Sequence, residues 1–98
     1  MRVRGSGSRT DANHTEIVTA LRQLGCSVLS LAPLGNGAPD ICVGWKRANV
    51  LMELKVAGKS PSAKRLTPDE QIFAKNWRGQ VATVECLNDA LVVLGIKI

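Results

Sequence analysis

A chain of 98 residues is enough for one domain with a single hydrophobic core. Hydrophobic residues make up 45% and charged residues 21%, an ordinary globular balance, and no apolar stretch approaches the roughly 20 residues that cross a bilayer. Thirteen Lys and Arg against eight Asp and Glu give a net charge of +5, which permits a nucleic-acid partner without establishing one.

The N-terminal stretch MRVRGSGSRTDANH is basic but has no apolar segment, so no secretory leader is expected. Cys26, Cys42 and Cys86 are odd in number, widely spaced and without a Cys-x-x-Cys pair. That excludes a disulfide framework, gives no zinc signature and fits buried thiols in a cytoplasmic protein. Two segments are basic without a balancing acid: residues 1–10, with Arg2, Arg4 and Arg9, and residues 55–65, with Lys55, Lys59, Lys64 and Arg65. Such runs suit phosphate contacts, although a solvated face reads the same way.

Residues 1–10 are Gly-, Ser- and Arg-rich and are expected to fray. Ile17, Ala20, Leu21 and Leu24 then recur at i, i+3, i+4 and i+7, predicting a helix over 12–25 that stops at Gly25. Residues 27–32 read as a strand, followed by the breaker PLGNGAP at 33–39. Residues 40–45 and 49–56 are two further strands, separated only by Lys46-Arg47-Ala48, so an antiparallel hairpin is expected. Residues 57–65 form a small-residue, basic loop. Thr67, Pro68 and Glu70 make a capping box with proline at the first helical position, starting a helix that runs to Trp77 or Arg78. Ile72, Phe73 and Trp77 are expected to face inward, with Gln71, Lys75 and Arg78 on a polar stripe. A strand at 80–85 and a helix at 88–94 complete an α-β-β-β-α-β-α order.

Strand alternation places Leu51, Glu53 and Lys55 on one face and Val50, Met52, Leu54 and Val56 on the other, wholly apolar one. A carboxylate and an ammonium in an apolar strand cost desolvation, which a fold accepts when the groups serve each other or a ligand. Pairing Trp45 with Val50 would set Asp40 opposite Lys55, and a shift of two residues would set Asp40 opposite Glu53. Either register gathers Asp40, Glu53 and Lys55 within cross-strand distance. Two carboxylates that close suit a hard divalent cation, and a lysine beside them can orient water and balance phosphate charge. Glu16, at the edge of the first helix's apolar stripe, is a fourth candidate. His14 lies toward the opposite edge and has no spaced partner.

The segment Gly37-Ala38-Pro39-Asp40, followed after twelve intervening residues by Glu53-Leu54-Lys55, resembles the PD-(D/E)XK nuclease signature. With Glu16 on an upstream helix, and Leu66-Thr67-Pro68-Asp69-Glu70-Gln71 then Phe73 and Trp77 downstream, the chain looks like a small stand-alone member of the virus-type replication-repair (VRR-NUC) branch. The resemblance covers roughly residues 9–92. It implies a restriction-endonuclease-like α/β core with a central mixed sheet flanked by helices, in one domain spanning 1–98. It also implies Mg²⁺ or Mn²⁺ held by Asp40, Glu53, the Leu54 carbonyl and Glu16, with Lys55 positioning or activating water and Gln71 beside it. The activity implied is hydrolysis of phosphodiester bonds in branched DNA such as Holliday junctions, by a homodimer with no membrane attachment. Arg9, Lys46, Arg47, Lys59, Lys64, Arg65, Lys75 and Arg78 are the candidate DNA contacts.

Three other readings compete. The nuclease fold could serve as a DNA-binding module without turnover. Gly35-Asn36-Gly37 could cradle a phosphate, although the dinucleotide fingerprint needs a strand before the glycines and a helix after them. Glu53 and Lys55 could be a plain ion pair in an unassigned α/β domain.

Overall fold

The computed structural model describes residues 9–55 and 65–97, with side chains described from Asn13 onward. Residues 1–8 and 56–64 therefore lie outside the described residues, and with them Val56, Lys59, Lys64 and most of the predicted basic loop.

Helix α1 spans Arg9–Gln23. It buries Ile17 and Leu21 completely or nearly so, whereas Leu24, expected in the same stripe, is exposed. The helix ends earlier than Leu24. Gly25, at φ +101°, turns the chain, and the Cys26 N–H reaches back to the Leu21 carbonyl in a Schellman-type closure. The turn lifts Leu24 off the core and drops Cys26 into it.

Strand β1 (Ser27–Ser30) stops two residues short of its predicted end. Pro33 lacks an N–H to continue a ladder, and the chain instead makes a 3₁₀ turn over Ala32–Leu34. Strands β2 (Ile41–Trp45) and β3 (Ala48–Leu54) form the expected hairpin. Helix α2 (Pro68–Asn76), strand β4 (Val81–Val84) and helix α3 (Leu87–Leu94) follow.

The four strands lie in the order β1-β2-β3-β4, antiparallel except for the parallel β3–β4 pair. A parallel neighbour requires a crossover rather than a tight turn, and α2 sits in that connection. The protein is thus α/β with a four-stranded mixed sheet and three helices.

One sheet face carries the core. Ile41 and Val43 of β2, Val50, Met52 and Leu54 of β3, and Val84 of β4 pack there against Ile17, Leu21, Cys26, Ala90 and Leu91. Burying each large apolar side chain contributes about 1.5–3 kcal/mol. Helices α1 and α3 cover this face. Helix α2 covers the opposite one, where Glu53, Glu70, Phe73, Ala74, Val81 and Thr83 line a narrow cleft.

The phase of α2 departs from expectation. Ile72 is 58% exposed and Trp77 45%, while Phe73 and Ala74 are half-buried. The capping box fixes the phase: with Glu70 turned to the sheet, Phe73 and Ala74 follow one turn later, and Ile72 falls about 100° from Phe73. Phe73 stacks on Trp77 with ring centroids 5.2 Å apart. Among the described residues no helix is long and apolar enough to cross a membrane.

Candidate active site

The two-residue loop Lys46-Arg47 sets the hairpin register, pairing Trp45 with Ala48, Val43 with Val50 and Ile41 with Met52. One step further along the ladder, Asp40 faces Glu53. Of the two registers that alternation allows, this is the one that brings the carboxyl groups together.

Asp40 stands at the mouth of β2. Its Oδ2 accepts the Leu54 N–H at 2.7 Å, and its carbonyl accepts the Leu31 N–H at 2.8 Å. The turn before it is locked as well. Gly37 has φ +79°, and a Cβ there would lie 2.4 Å from the Asp69 carbonyl oxygen, so only glycine lets this loop touch the start of α2.

Glu53 is the one buried charged or polar residue among those described, at 8% exposure. Burial, followed by the Asp40 and Glu70 carboxyls, pushes its pKa up to about 8. At neutral pH it holds a proton. Glu70 behaves in the opposite sense: burial would raise its pKa, but the Thr67 N–H, Lys55 and the Glu53 hydroxyl favour the anion, and the net direction is down. Glu53 and Glu70 form an acid–carboxylate pair.

Glu70 comes from the capping box. Its Oε1 accepts the Thr67 N–H at 2.8 Å while Thr67 Oγ1 accepts the Glu70 N–H at 3.2 Å. The same oxygen accepts from Lys55 Nζ at 3.0 Å, closer than the 3.7 Å between Lys55 and Glu53. Burial acts to lower the Lys55 pKa, but the hydrogen bond and charge of Glu70, with Glu53 and Asp40, outweigh it and raise it. Lys55 is therefore held as an ammonium. The plain Glu53–Lys55 ion pair is likewise incomplete, because the closer partner of Lys55 is Glu70.

Glu70 was not among the predicted site residues, because the capping box already accounted for it. The signal was its i, i+3 and i+4 relation to Phe73 and Ala74, which turns it toward the sheet. Gln71, the predicted member, is exposed and donates from Nε2 to the Leu66 carbonyl at 2.9 Å, facing its own helix start. Glu16 is exposed and is not among the groups that act on Glu53 or Lys55. The opposite edge of α1 is the one that meets the strand end: His14 Nε2 donates to the Leu54 carbonyl at 3.1 Å, and Asn13 Nδ2 lies 3.5 Å from the Lys55 carbonyl. The Leu54 carbonyl, expected to face a metal, thus already accepts from His14. A cavity of about 320 Å³ opens beside it, lined by His14, Val18, Arg22, Ser30, Asp40 and Leu54 among others.

Among the described residues no group of three or more His, Cys, Asp and Glu side chains is set to hold a metal ion. Asp40 and Glu70 each act on the Glu53 carboxyl, so the acidic groups gathered here offer oxygen donors alone, the type that a hard divalent cation takes. Of the candidate DNA contacts, Lys46 and Arg47 are exposed at the hairpin tip, Lys75 and Arg78 on α2, and Arg65 just before it. The side chain of Arg9, and all of Lys59 and Lys64, lie outside the described residues. No protein-family model matches the chain, and neither the curated proteins nor the solved structures searched yield a match.

Proposed function

We propose that this protein is a metal-dependent DNA endonuclease of the PD-(D/E)XK type, akin to the VRR-NUC branch. The observation that carries the reading is the cluster itself: Asp40 and Glu53 meet across one hairpin, beside Lys55, in a basic protein. A cluster that keeps a buried carboxyl protonated near neutral pH is costly to stability and is the kind of perturbation that accompanies catalysis.

Asp40 and Glu53 would hold Mg²⁺ or Mn²⁺, whose chemistry when bound is that of a Lewis acid toward a phosphoryl oxygen. The chain's own groups do the rest. Glu53 would serve such a cation as the carboxylate, its proton passing to solvent. Lys55, held by Glu70, presents an ammonium to the substrate phosphate and to the attacking water. Glu70 keeps that ammonium aimed at the cluster, since its own position is fixed by Thr67. Gln71 and Glu16 enter this scheme only if α2 and α1 reposition on binding.

Branched DNA as substrate, and a homodimer presenting two sites to it inside the cell, belong to the same proposal and rest on the resemblance. A second reading, a DNA-binding module without turnover, draws on the Glu70–Lys55 ion pair, which occupies the lysine. Incubating the purified chain with linear, flapped and four-way-junction DNA in Mg²⁺, Mn²⁺ or EDTA separates the two. Metal-dependent nicks are expected; binding with no cleavage under any metal supports the module.

A further inference from the structure

The hairpin tip is built against its own backbone preference. Two-residue hairpin loops of this kind need positive φ at both positions, and Asn-Gly or Asp-Gly supplies it at least cost. Here the two positions are Lys46, at φ +49°, and Arg47, at φ +69°. Both carry a Cβ in the left-handed region, which is costly for such residues. The glycine and asparagine of this hairpin sit one pair earlier, as Gly44 opposite Asn49. Strain that persists where a cheaper residue would serve is a sign of function.

The tip is also held. Trp45 lies over Gly25, where an added Cβ would stand 3.7 Å from its ring, and Lys46 Nζ lies 5.7 Å from the Trp45 ring centroid. At the tip is a hollow of about 440 Å³ whose lining residues include Lys46, Arg47, Ser27 and Asn49. No carboxylate lines it. Two cations, a hydroxyl and an amide around an acid-free hollow are the groups that bind phosphate.

We propose that this hollow seats a backbone phosphate of DNA remote from the bond that is cut. At about 3.4 Å per residue, β2 and β3 separate it from Asp40 and Glu53 by about 17–20 Å, some five or six base steps along a duplex. The inference rests on DNA being the substrate, but it concerns binding, so it can fail while the nuclease reading stands.

The test replaces the tip with the residues the turn prefers, Lys46→Asn with Arg47→Gly, and measures melting and DNA binding in EDTA. Binding is read by fluorescence anisotropy of labelled duplex and four-way junction. The melting temperature should rise by about 4–8 °C as strain is relieved. DNA affinity should fall roughly tenfold near physiological salt, and the slope of log affinity against log salt should become shallower by about 2. The charge-preserving exchange Lys46→Arg with Arg47→Lys should bind as wild type does. Lys97→Gln, an exposed cation near the C-terminal end, measures the effect of net charge alone and should change the slope by less. Unchanged affinity and slope in the Asn-Gly variant overturn the proposal, as does a fall in melting temperature, which would remove the strain argument. Protection of wild type from melting by inorganic phosphate, lost in the variant while DNA binding is kept, overturns the DNA assignment in favour of a free anion. A wild type that binds DNA through the tip yet never cleaves it would overturn the proposed activity and leave this inference intact.

Discussion

Replacing Glu53 by glutamine tests the electrostatics of the cluster independently of any substrate. Glu53 titrates near 8 in the folded protein against an ordinary value of 4.5, so between those pH values the native state holds a proton that the unfolded chain releases. By linkage the wild type loses stability as pH rises through that window. At about 1.4 kcal/mol per pH unit, the full span would be about 5 kcal/mol. Glu70, whose pKa is lowered, contributes in the opposite sense, with stability gained above its unfolded value and lost as pH falls. That change falls below pH 4.5 and leaves the Glu53 window untouched, while coupling within the cluster and solvent screening reduce the Glu53 span to on the order of 2–4 kcal/mol. A glutamine in this place would keep the shape and the hydrogen bond to Glu70 and carry no charge. The Glu53→Gln variant should match wild type within about 1 kcal/mol at pH 5 and exceed it by about 2–4 kcal/mol at pH 8.5. Urea unfolding followed by tryptophan fluorescence in EDTA at pH 5, 7 and 8.5 reads this directly, provided the m-values agree. Parallel pH profiles for the two proteins would refute the reasoning, because they would mean that Glu53 ionises normally in the fold.

Glu70→Gln should bring the Glu53 pKa down by removing a facing carboxylate and should weaken the hold on Lys55; NMR titration of the Glu53 side-chain carbon checks the first, and a lowered cleavage rate the second. Gly37→Ala should destabilise the protein by about 2–4 kcal/mol, since the new Cβ meets the Asp69 carbonyl in a left-handed backbone, and thermal unfolding measures it. Thr67→Ala should cost about 1 kcal/mol in thermal unfolding as the Oγ1 cap on the Glu70 N–H is lost, with little change in cleavage because the backbone N–H of residue 67 still holds Glu70 Oε1. Met52→Ala, in the fully buried centre of β3, should cost about 2–5 kcal/mol in urea unfolding without altering the pH profile.

Much of this architecture was legible in the residues, and the misses have local causes. Alternation along β2 and β3 was enough to put Asp40, Glu53 and Lys55 together, because both registers considered, two residues apart, keep the same faces. The register itself depended on which residues make the turn, and two cations in the left-handed region are not what sequence preference indicates for a two-residue loop. The phase of α2 was misread because Ile72 and Trp77 are apolar; the capping box, visible in Thr67 and Glu70, decides the phase and leaves Ile72 outside. Glu70 itself had one sufficient explanation as a cap, which hid its second role beside Lys55. Leu24 was counted into the core because periodicity does not record where a glycine closure ends the helix. Glu16 and His14 flank one apolar stripe, and which edge meets the end of β3 is set by helix docking rather than by spacing.

Cleavage under single-turnover conditions, with binding measured in parallel, bears most directly on the claim that these residues form a nuclease site. Wild type and Glu53→Gln would each be mixed in excess with a labelled four-way junction and a duplex in Mg²⁺ or Mn²⁺ at pH 7.5. A loss on the order of 10³-fold or more in cleavage rate, as befits a metal-holding carboxylate, with DNA affinity kept within a few fold, is the predicted result. Cleavage by Glu53→Gln at the wild-type rate would contradict it.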